Sequence, residues 1–193
     1  DFIRLADSFP FAEEVDHLVR YTGYVGGDPR PAVEGPDGED EVIISCGGGA
    51  VAESLLSAAL EARPLSRRAE DTPWRVLIGH DISDDAFAIY RQSAVDGVIV
   101  ERARRDFPDL LKRARLSVSQ AGYNTVLDIL QAGVPAVFVP FAQINETEQT
   151  QRAEALAGHG RAIVTPEADL TPERLAAAID DALALPRSKH SVR

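Results

Sequence analysis

Residues 116–141 read LSVSQAGYNTVLDILQAGVPAVFVPF, and their pattern gives the clearest indication of the fold class. It begins with a short apolar run, Leu116–Ser119, continues through an amphipathic segment, Tyr123–Ala132, and ends with a second apolar run, Ala136–Pro140. Two short buried strands on either side of a helix are typical of the strand–helix–strand unit of a parallel sheet. The apolar stripe that should face this sheet recurs at helical spacing and consists of Val126, Ile129, Leu130 and Gly133.

The same alternation of apolar runs and amphipathic segments continues on both sides of this unit. Further strands are predicted at Val42–Cys46, Arg75–Gly79, Gly97–Val100 and Ala162–Thr165. Further helices are predicted at Ala50–Ala62, Asp84–Gln92, Phe107–Arg113, Glu148–Ala157 and Pro172–Leu185, the last with Thr171 as its N-cap. The pattern favours an α/β fold with a doubly wound, Rossmann-like parallel sheet. Such sheets bind ligands at the carboxyl ends of their strands, near the switch in strand order.

Composition narrows the class of ligand. The 193 residues include 20 Lys and Arg against 31 Asp and Glu, a formal charge of -11, which disfavours non-specific binding to nucleic acid or anionic lipid. Cys46 is the single cysteine, so an internal disulfide and a Cys-rich metal site are excluded. No apolar run approaches the roughly 18 residues of a membrane span, and no signal-peptide pattern is present. We therefore expect a cytoplasmic protein without a membrane span, metal or cofactor.

Three loops at strand ends are candidates for ligand binding. The first, Gly47-Gly48-Gly49, lies between a predicted strand and a predicted helix. Glycines let backbone amides approach a bound phosphate, and the helix behind them adds the positive end of its dipole. A tight turn that needs glycine only for its geometry is the alternative. The loop lacks the Lys-Ser/Thr ending of a P-loop and the spacing of the dinucleotide fingerprint.

The second loop leads into the predicted helix at Tyr123. Gly122 lies at the junction, and Tyr123, Asn124 and Thr125 offer first-turn amides to an anion. Asp128 follows Thr125 by three residues, so both side chains share one face of the helix. A carboxylate placed there can accept hydrogen bonds from the two ribose hydroxyls of a nucleotide whose phosphates rest on the helix start. The alternative is that Asp128 is a solvated helix residue.

The third loop follows the apolar run Ala136–Pro140 and leads to Glu148 and Gln149 at the start of the next predicted helix. An acid and an amide together supply the acceptors and donors that sugar hydroxyls need. Helix capping by Asn145, with Glu148 as its partner, is the alternative, but it assigns no role to Gln149.

These residues resemble the carboxyl-terminal domain of family-28 type glycosyltransferases, the group that contains the bacterial peptidoglycan N-acetylglucosaminyl transferase. The resemblance covers about Val42 to Ala184. It is carried at motif level by three stretches, SQAGYNTVLD at 119–128, AGVPAVFVPF at 132–141 and EQTQRA at 148–153. It implies the C-terminal half of a GT-B fold, in which two Rossmann-like domains face a cleft and transfer is metal-independent.

The resemblance also implies roles for individual residues. Gly122–Thr125 would hold the pyrophosphate of a nucleotide-sugar donor, commonly UDP-linked, and Asp128 would hold its ribose. Glu148 and Gln149 would bind the sugar, and the Gly47–Gly49 loop would face the cleft. The segment Glu101–Asp106 corresponds to part of the base pocket, where three arginines are atypical. His80, at a predicted strand end, is a further candidate for contact with the donor.

The implied organisation has three parts. Residues 1–41 form an interdomain connection and linker, 42–185 the donor-binding domain and 186–193 a tail. The acceptor domain and its catalytic base would then lie outside this chain, so the catalytic residues are unknown. The predicted function is transfer of a hexose-type sugar from a nucleotide diphosphate to an acceptor hydroxyl. Two alternatives remain open: a nucleotide-sugar epimerase of GT-B architecture, and a donor-binding subunit that needs a separate acceptor-binding partner.

Overall fold

The computed structural model describes residues 11–21, 35–46, 50–141 and 148–188. Six β-strands and seven α-helices lie within these ranges, together with short 3-10 turns. The strands are β1 Val42–Cys46, β2 Trp74–Ile78, β3 Val98–Arg102, β4 Leu116–Ser119, β5 Ala136–Phe138 and β6 Ala162–Val164. The helices are α1 Ala12–Val15, α2 Ala50–Ala62, α3 Asp84–Gln92, α4 Phe107–Arg113, α5 Tyr123–Ala132, α6 Glu148–Gly158 and α7 Pro172–Ala182. Within the described ranges, no helix is both long enough and apolar enough to cross a bilayer.

The strands form one parallel sheet in the order β3-β2-β1-β4-β5-β6. This order confirms the predicted doubly wound, Rossmann-like α/β fold. The switch in strand order lies between β1 and β4, where Ser45 pairs with Ser119. Most predicted elements are confirmed to within a few residues at their ends. The main difference is β3, which extends to Arg102, so Glu101 and Arg102 lie in the strand and not in the following loop.

Two apolar layers cover the sheet. On one face, α2 packs over β1 and α7 packs over β4, β5 and β6. Trp74 of β2 is fully buried in the same apolar layer, which also contains Leu55, Leu56 and Ile179. The opposite layer contains Phe138 of β5, together with residues of α4, α5 and α6. The predicted stripe of α5 is confirmed, because all four of its residues are buried. This packing places the start of α5 above the carboxyl end of β4.

The chain after α7 packs against the C-terminal ends of α4 and α5. Thr171 is the N-cap of α7, as predicted, and its hydroxyl accepts a hydrogen bond from the Arg174 amide. Beyond the helix, Arg187 donates to the carbonyls of Ala114 at 2.6 Å and Ala132 at 3.1 Å, and also to those of Leu111 and Lys112. These carbonyls belong to the C-terminal ends of α4 and α5, where backbone acceptors lack partners within the helix. One guanidinium thus caps two helices.

The described part of the predicted linker is anchored to the domain. Residues 35–41 form no helix or strand, but Gly38 is buried against Leu110 of α4 and Glu41 is also buried. Glu41 binds Arg75 of β2 through both carboxylate oxygens, at 2.6 and 2.8 Å. Composition could not reveal this contact, because it joins residues 34 positions apart. At the other end of the predicted connection, residues 19–21 have no regular secondary structure, and residues 22–34 lie outside the described ranges.

The Arg75–Glu41 pair belongs to a larger ion cluster. We use this name for Asp37, Glu41, Arg75, Glu101, Arg104 and Asp106. Arg104 binds Asp37 and Asp106, each at 2.6 Å. The hydrogen bond from Arg104 holds the pKa of both carboxyl groups below its ordinary value. The cluster fixes the 35–41 segment to β2 and β3.

Candidate functional site

The candidate site lies at the carboxyl edge of the sheet, where β1 and β4 are neighbours. The chain leaves β1 into the glycine loop and α2 on one face of the sheet, and leaves β4 towards α5 on the other face. Connections that diverge in this way open a crevice between them, which is where doubly wound sheets bind ligands. Gly47, Gly48 and Gly49 themselves lie outside the described residues. Their predicted role stays a prediction.

The start of α5 is accessible. Gly122 is the N-cap, with φ -61° and ψ 145°, and no side chain caps the helix. The first intrahelical bond runs from the Val126 amide to the Gly122 carbonyl at 3.0 Å, so the amides of the first turn precede the hydrogen-bonded ladder. Tyr123 and Asn124 are exposed. Among the described residues, none has an atom within 4 Å of a Cβ built on Gly122. This turn has the geometry of an anion site.

Thr125 and Asp128 line one face of α5 just below this turn. Both side chains are half-buried, whereas Val126 and Leu127 between them are buried in the core. Asp128 lies three residues after Thr125, as the sequence predicts. The turn that begins α5 and the carboxylate one turn deeper thus occupy the same end of the helix.

Helix α6 begins at Glu148, so the two predicted sugar-binding residues are in its first turn. The Glu148 side chain is 78% exposed. Gln149 accepts a hydrogen bond from the Phe141 amide at 3.1 Å through its Oε1 atom. This bond gives Gln149 the structural role that capping by Asn145 did not supply, because it joins the start of α6 to the chain beyond β5. Asn145 lies outside the described residues.

Sequence reasoning assigned no role to Arg152, which connects the second and third loops. From α6, its Nη1 donates to the Ala121 carbonyl at 2.6 Å and its Nη2 donates to Glu148 at 3.3 Å. Its guanidinium carbon lies 5.7 Å from the centre of the Tyr123 ring. The spacing of four residues between Glu148 and Arg152 predicts only an ordinary helical ion pair. The contacts with the turn before α5 are tertiary and have no signal in the sequence.

Two of the three arginines of the Glu101–Asp106 segment, Arg102 and Arg104, are held by contacts within the protein. Arg102 donates to the carbonyls of Gly79 and Ile82, pairs with Asp84 at 2.5 Å and lies 4.3 Å from the centre of the Phe87 ring. Arg104 belongs to the ion cluster, whereas Arg105 is exposed. Glu101 and Arg102 belong to β3, which is longer than predicted, and the correspondence of this segment to part of the base pocket stays a prediction.

His80 and Cys46 also lie near the carboxyl edge of the sheet, and each is in an ordinary structural environment. His80 is exposed and its Nε2 lies 3.1 Å from the Ala103 carbonyl. Cys46, the last residue of β1, is buried, and burial raises the pKa of its thiol. A neutral, buried thiol is a poor nucleophile. Among the described residues, no group of three or more His, Cys, Asp or Glu side chains is arranged to hold a metal ion.

A groove of about 770 Å³ lies elsewhere, between α2 and α3. Its lining includes Ser57, Leu60, Ile89 and Tyr90. None of these residues belongs to the three candidate loops. The groove is a depression between two helices, so the polar turn at the start of α5 is the better candidate for a phosphate ligand.

Comparison with known proteins identifies the family of the chain. Residues 42–191 match the model of the glycosyltransferase family 28 C-terminal domain. A UDP-N-acetylglucosamine–N-acetylmuramyl-(pentapeptide) pyrophosphoryl-undecaprenol N-acetylglucosamine transferase of Rhodospirillum centenum is 30% identical over 193 residues, which cover 90% of this chain and 48% of that protein. The chain thus spans about half the length of this curated relative.

Two solved structures share the fold at lower identity. The kitacinnamycin glycosyltransferase superposes with a TM-score of 0.62 at 21% identity, covering 83% of this chain and 39% of that one. The glycosyltransferase VinC, solved in complex with dTDP, superposes with a TM-score of 0.58 at 23% identity, covering 80% of this chain and 37% of that one.

Proposed function

The chain belongs to the glycosyltransferase family 28 C-terminal domains, and we propose on this premise that it binds the nucleotide-diphosphate sugar donor of a hexosyltransferase. The observation that carries the proposal is the first turn of α5, which lies beside the switch between β1 and β4 and where no described residue approaches within 4 Å of a Cβ built on Gly122. In an acidic protein with a formal charge of -11, a diphosphate needs such a local set of donors. We further propose the cytoplasm as its compartment.

Each part of the donor has a proposed partner. The amides of Gly122, Tyr123, Asn124 and Thr125 hold the diphosphate, with the Gly47–Gly49 loop on the opposite side of the crevice. Asp128 accepts hydrogen bonds from the ribose, and Glu148 and Gln149 contact the sugar hydroxyls. Backbone donors and the positive end of α5 also stabilise the negative charge that develops on the departing diphosphate. No part of this role requires a bound metal.

The acceptor side of the reaction is proposed to lie outside this chain. The curated relative is about twice as long as the part that matches, and the described residues supply no catalytic base that we can assign. We propose that a second, acceptor-binding domain or subunit faces the carboxyl edge of this sheet and completes the site. Donor binding is then measurable on this chain alone, whereas sugar transfer requires that second part.

UDP is the proposed nucleotide, because the Rhodospirillum centenum relative is named for UDP-N-acetylglucosamine. The dTDP complex of VinC makes dTDP the comparison to include. At a ligand concentration 100 times its Kd, binding stabilises a protein by about 2.7 kcal/mol. For a domain of this size, that corresponds to a rise in Tm of roughly 5 to 10 °C.

The test is thermal unfolding with saturating UDP-N-acetylglucosamine and, separately, a dTDP-hexose. We expect stabilisation of the wild type, and loss of that stabilisation in Asp128→Ala and Asp128→Asn. Asp181→Ala is the matched control, because Asp181 is an exposed acid on α7, remote from the site. A melting temperature that stays unchanged with both nucleotide sugars refutes donor binding. Equal protection of the wild type and both Asp128 variants removes the ribose role alone.

A further inference from the structure

Arg152 is almost enclosed at the junction of the second and third candidate loops, with 11% of its side chain exposed. Its Nη1 bonds to the Ala121 carbonyl and its Nη2 to Glu148. Ala121 is fully buried and immediately precedes Gly122. One guanidinium therefore contacts both the turn before α5 and the first residue of α6.

The bond to Ala121 has a direct consequence for Gly122. In a trans peptide, the carbonyl of one residue and the N–H of the next lie in one plane and point in opposite directions. Holding the Ala121 carbonyl towards Arg152 therefore directs the Gly122 N–H away from Arg152. This hydrogen bond, together with the burial of Ala121, therefore fixes the direction in which the first amide of the turn points.

The charge of Arg152 is also weakly compensated. Arg75 and Arg104 are each held by several carboxylates of the ion cluster. The acidic partner of Arg152, Glu148, is largely exposed and lies at 3.3 Å. An ion pair with an exposed member is screened by water and neutralises the guanidinium only in part. The positive field of Arg152 is therefore available to an anion at the start of α5.

We infer that Arg152 is a positioning residue that couples recognition of the donor diphosphate to recognition of the sugar, an inference that rests on the proposed function. Through Nη1 it orients the Gly122 amide towards the diphosphate. Through Nη2 it holds the Glu148 carboxylate in reach of the sugar hydroxyls. Loss of Arg152 should then affect the diphosphate and the sugar together, while the nucleoside part of the donor is recognised as before.

The experiment measures the Kd of UMP, UDP and UDP-N-acetylglucosamine by calorimetry for the wild type, Arg152→Ala and Arg152→Lys. For Arg152→Ala we expect the affinity for UDP to fall by about 10- to 150-fold, the range for a charge-assisted hydrogen bond, and that for UMP to change less than about threefold. The additional affinity that the sugar confers over UDP should also disappear. Lysine keeps the charge but lacks the planar, rigid set of donors with which arginine spans the Ala121 carbonyl and the Glu148 carboxylate, so we expect it to restore part of the UDP affinity and none of the sugar's contribution.

Arg174→Ala is the matched control. Arg174 forms an exposed ion pair with Asp169 on the side of the domain near α7, and its removal should leave all three affinities unchanged. If the wild type binds none of the three nucleotides, and dTDP and a dTDP-hexose do not bind either, both the proposed function and this inference fail. If the wild type binds UDP and Arg152→Ala binds it equally well, only the role of Arg152 is refuted. Full recovery of both UDP and sugar affinity in Arg152→Lys shows that charge alone matters and refutes positioning. If Arg152→Ala does not fold, the lysine variant decides between these outcomes.

Discussion

Replacing Gly122 by alanine should separate ligand binding from folding. Gly122 has φ -61° and ψ 145°, a conformation that alanine adopts readily, and a Cβ built there meets no described atom within 4 Å. The added methyl group therefore points into open space at the start of α5. In the proposed complex, this space is where the diphosphate approaches the backbone amides.

The expected effect on stability is small. Alanine is a poorer N-cap than glycine, which costs up to about 1 kcal/mol, and it restricts the unfolded chain, which returns about 0.4 to 1 kcal/mol. The net change in the free energy of unfolding should therefore stay within about 1 kcal/mol. Loss of one charge-assisted hydrogen bond to the diphosphate costs about 1.5 to 3 kcal/mol, which is roughly a 10- to 150-fold rise in Kd for UDP.

Gly133→Ala is the matched control, because it changes the other end of the same helix. Gly133 has φ +65°, and a Cβ there would lie 2.5 Å from the Ser188 carbonyl oxygen. The left-handed backbone conformation costs alanine about 1 to 2 kcal/mol. To avoid the added Cβ, the backbone at Ser188 must also shift, which disturbs the hydrogen bond from the Ser188 amide to the Gly133 carbonyl. We expect a loss of about 2 to 4 kcal/mol in stability with the UDP affinity of the folded protein unchanged.

Urea unfolding and calorimetric titration of both variants with UDP provide the assay. The expected pattern is a stable Gly122→Ala that binds poorly and an unstable Gly133→Ala that binds well. A Gly122→Ala protein with wild-type stability and wild-type Kd for UDP would show that the start of α5 does not hold the diphosphate.

Three further predictions concern stability. Arg75→Met leaves the buried Glu41 carboxylate without its partner and should lower the free energy of unfolding in urea by about 3 to 5 kcal/mol. Arg174→Ala, which removes an exposed ion pair, should lower it by less than about 1 kcal/mol. Equal losses in the two variants would contradict the structural role of the ion cluster. Arg187→Ala uncaps α4 and α5 and should cost about 2 to 4 kcal/mol by the same measurement, and a loss below about 0.5 kcal/mol would exclude the double cap. The pKa values of Asp37 and Asp106 are lowered in the folded protein, so the stability that these carboxylates contribute is fully present above their ordinary pKa of 3.8 and is lost as the pH falls through the folded-state pKa values. Arg104→Gln should abolish this part of the dependence of stability on acid pH. If the stability of the variant below pH 4 follows the wild-type profile, Arg104 is not the cause of the lowered pKa values.

The sequence predicted the elements well because most of them have a local cause. The α5 stripe recurs at helical spacing, and Thr171 followed by Pro172 begins α7 by capping chemistry. The strand ends were less well predicted, since β3 continues through Glu101 and Arg102 although both are charged. Their side chains find partners far along the chain, in Arg75 and in the carbonyls of Gly79 and Ile82.

For the candidate site too, the sequence predicted what depends on local spacing and missed what depends on tertiary contacts. Gly122, Thr125 and Asp128 share one helix start, so their proximity follows from the spacing. Gln149 was recognised as a residue without a capping role, but its bond to the Phe141 amide depends on how α6 docks beside β5. Arg152 lies in the 148–153 motif but was given no role in the predicted site, because its contacts with Ala121 and Tyr123 cross from one helix to another.

By itself, then, the sequence determined which segments are strands and helices, and which helix start carries glycine, first-turn amides and a carboxylate. These features depend on periodicity, capping and residue type, which act over a few neighbouring positions. Only the tertiary structure decided that β1 lies beside β4, that residues 35–41 are bound to Arg75, and that Arg152 joins two loops. Such contacts arise when buried charges and backbone groups must find partners as the sheet and its helices pack together, and no local pattern specifies those partners.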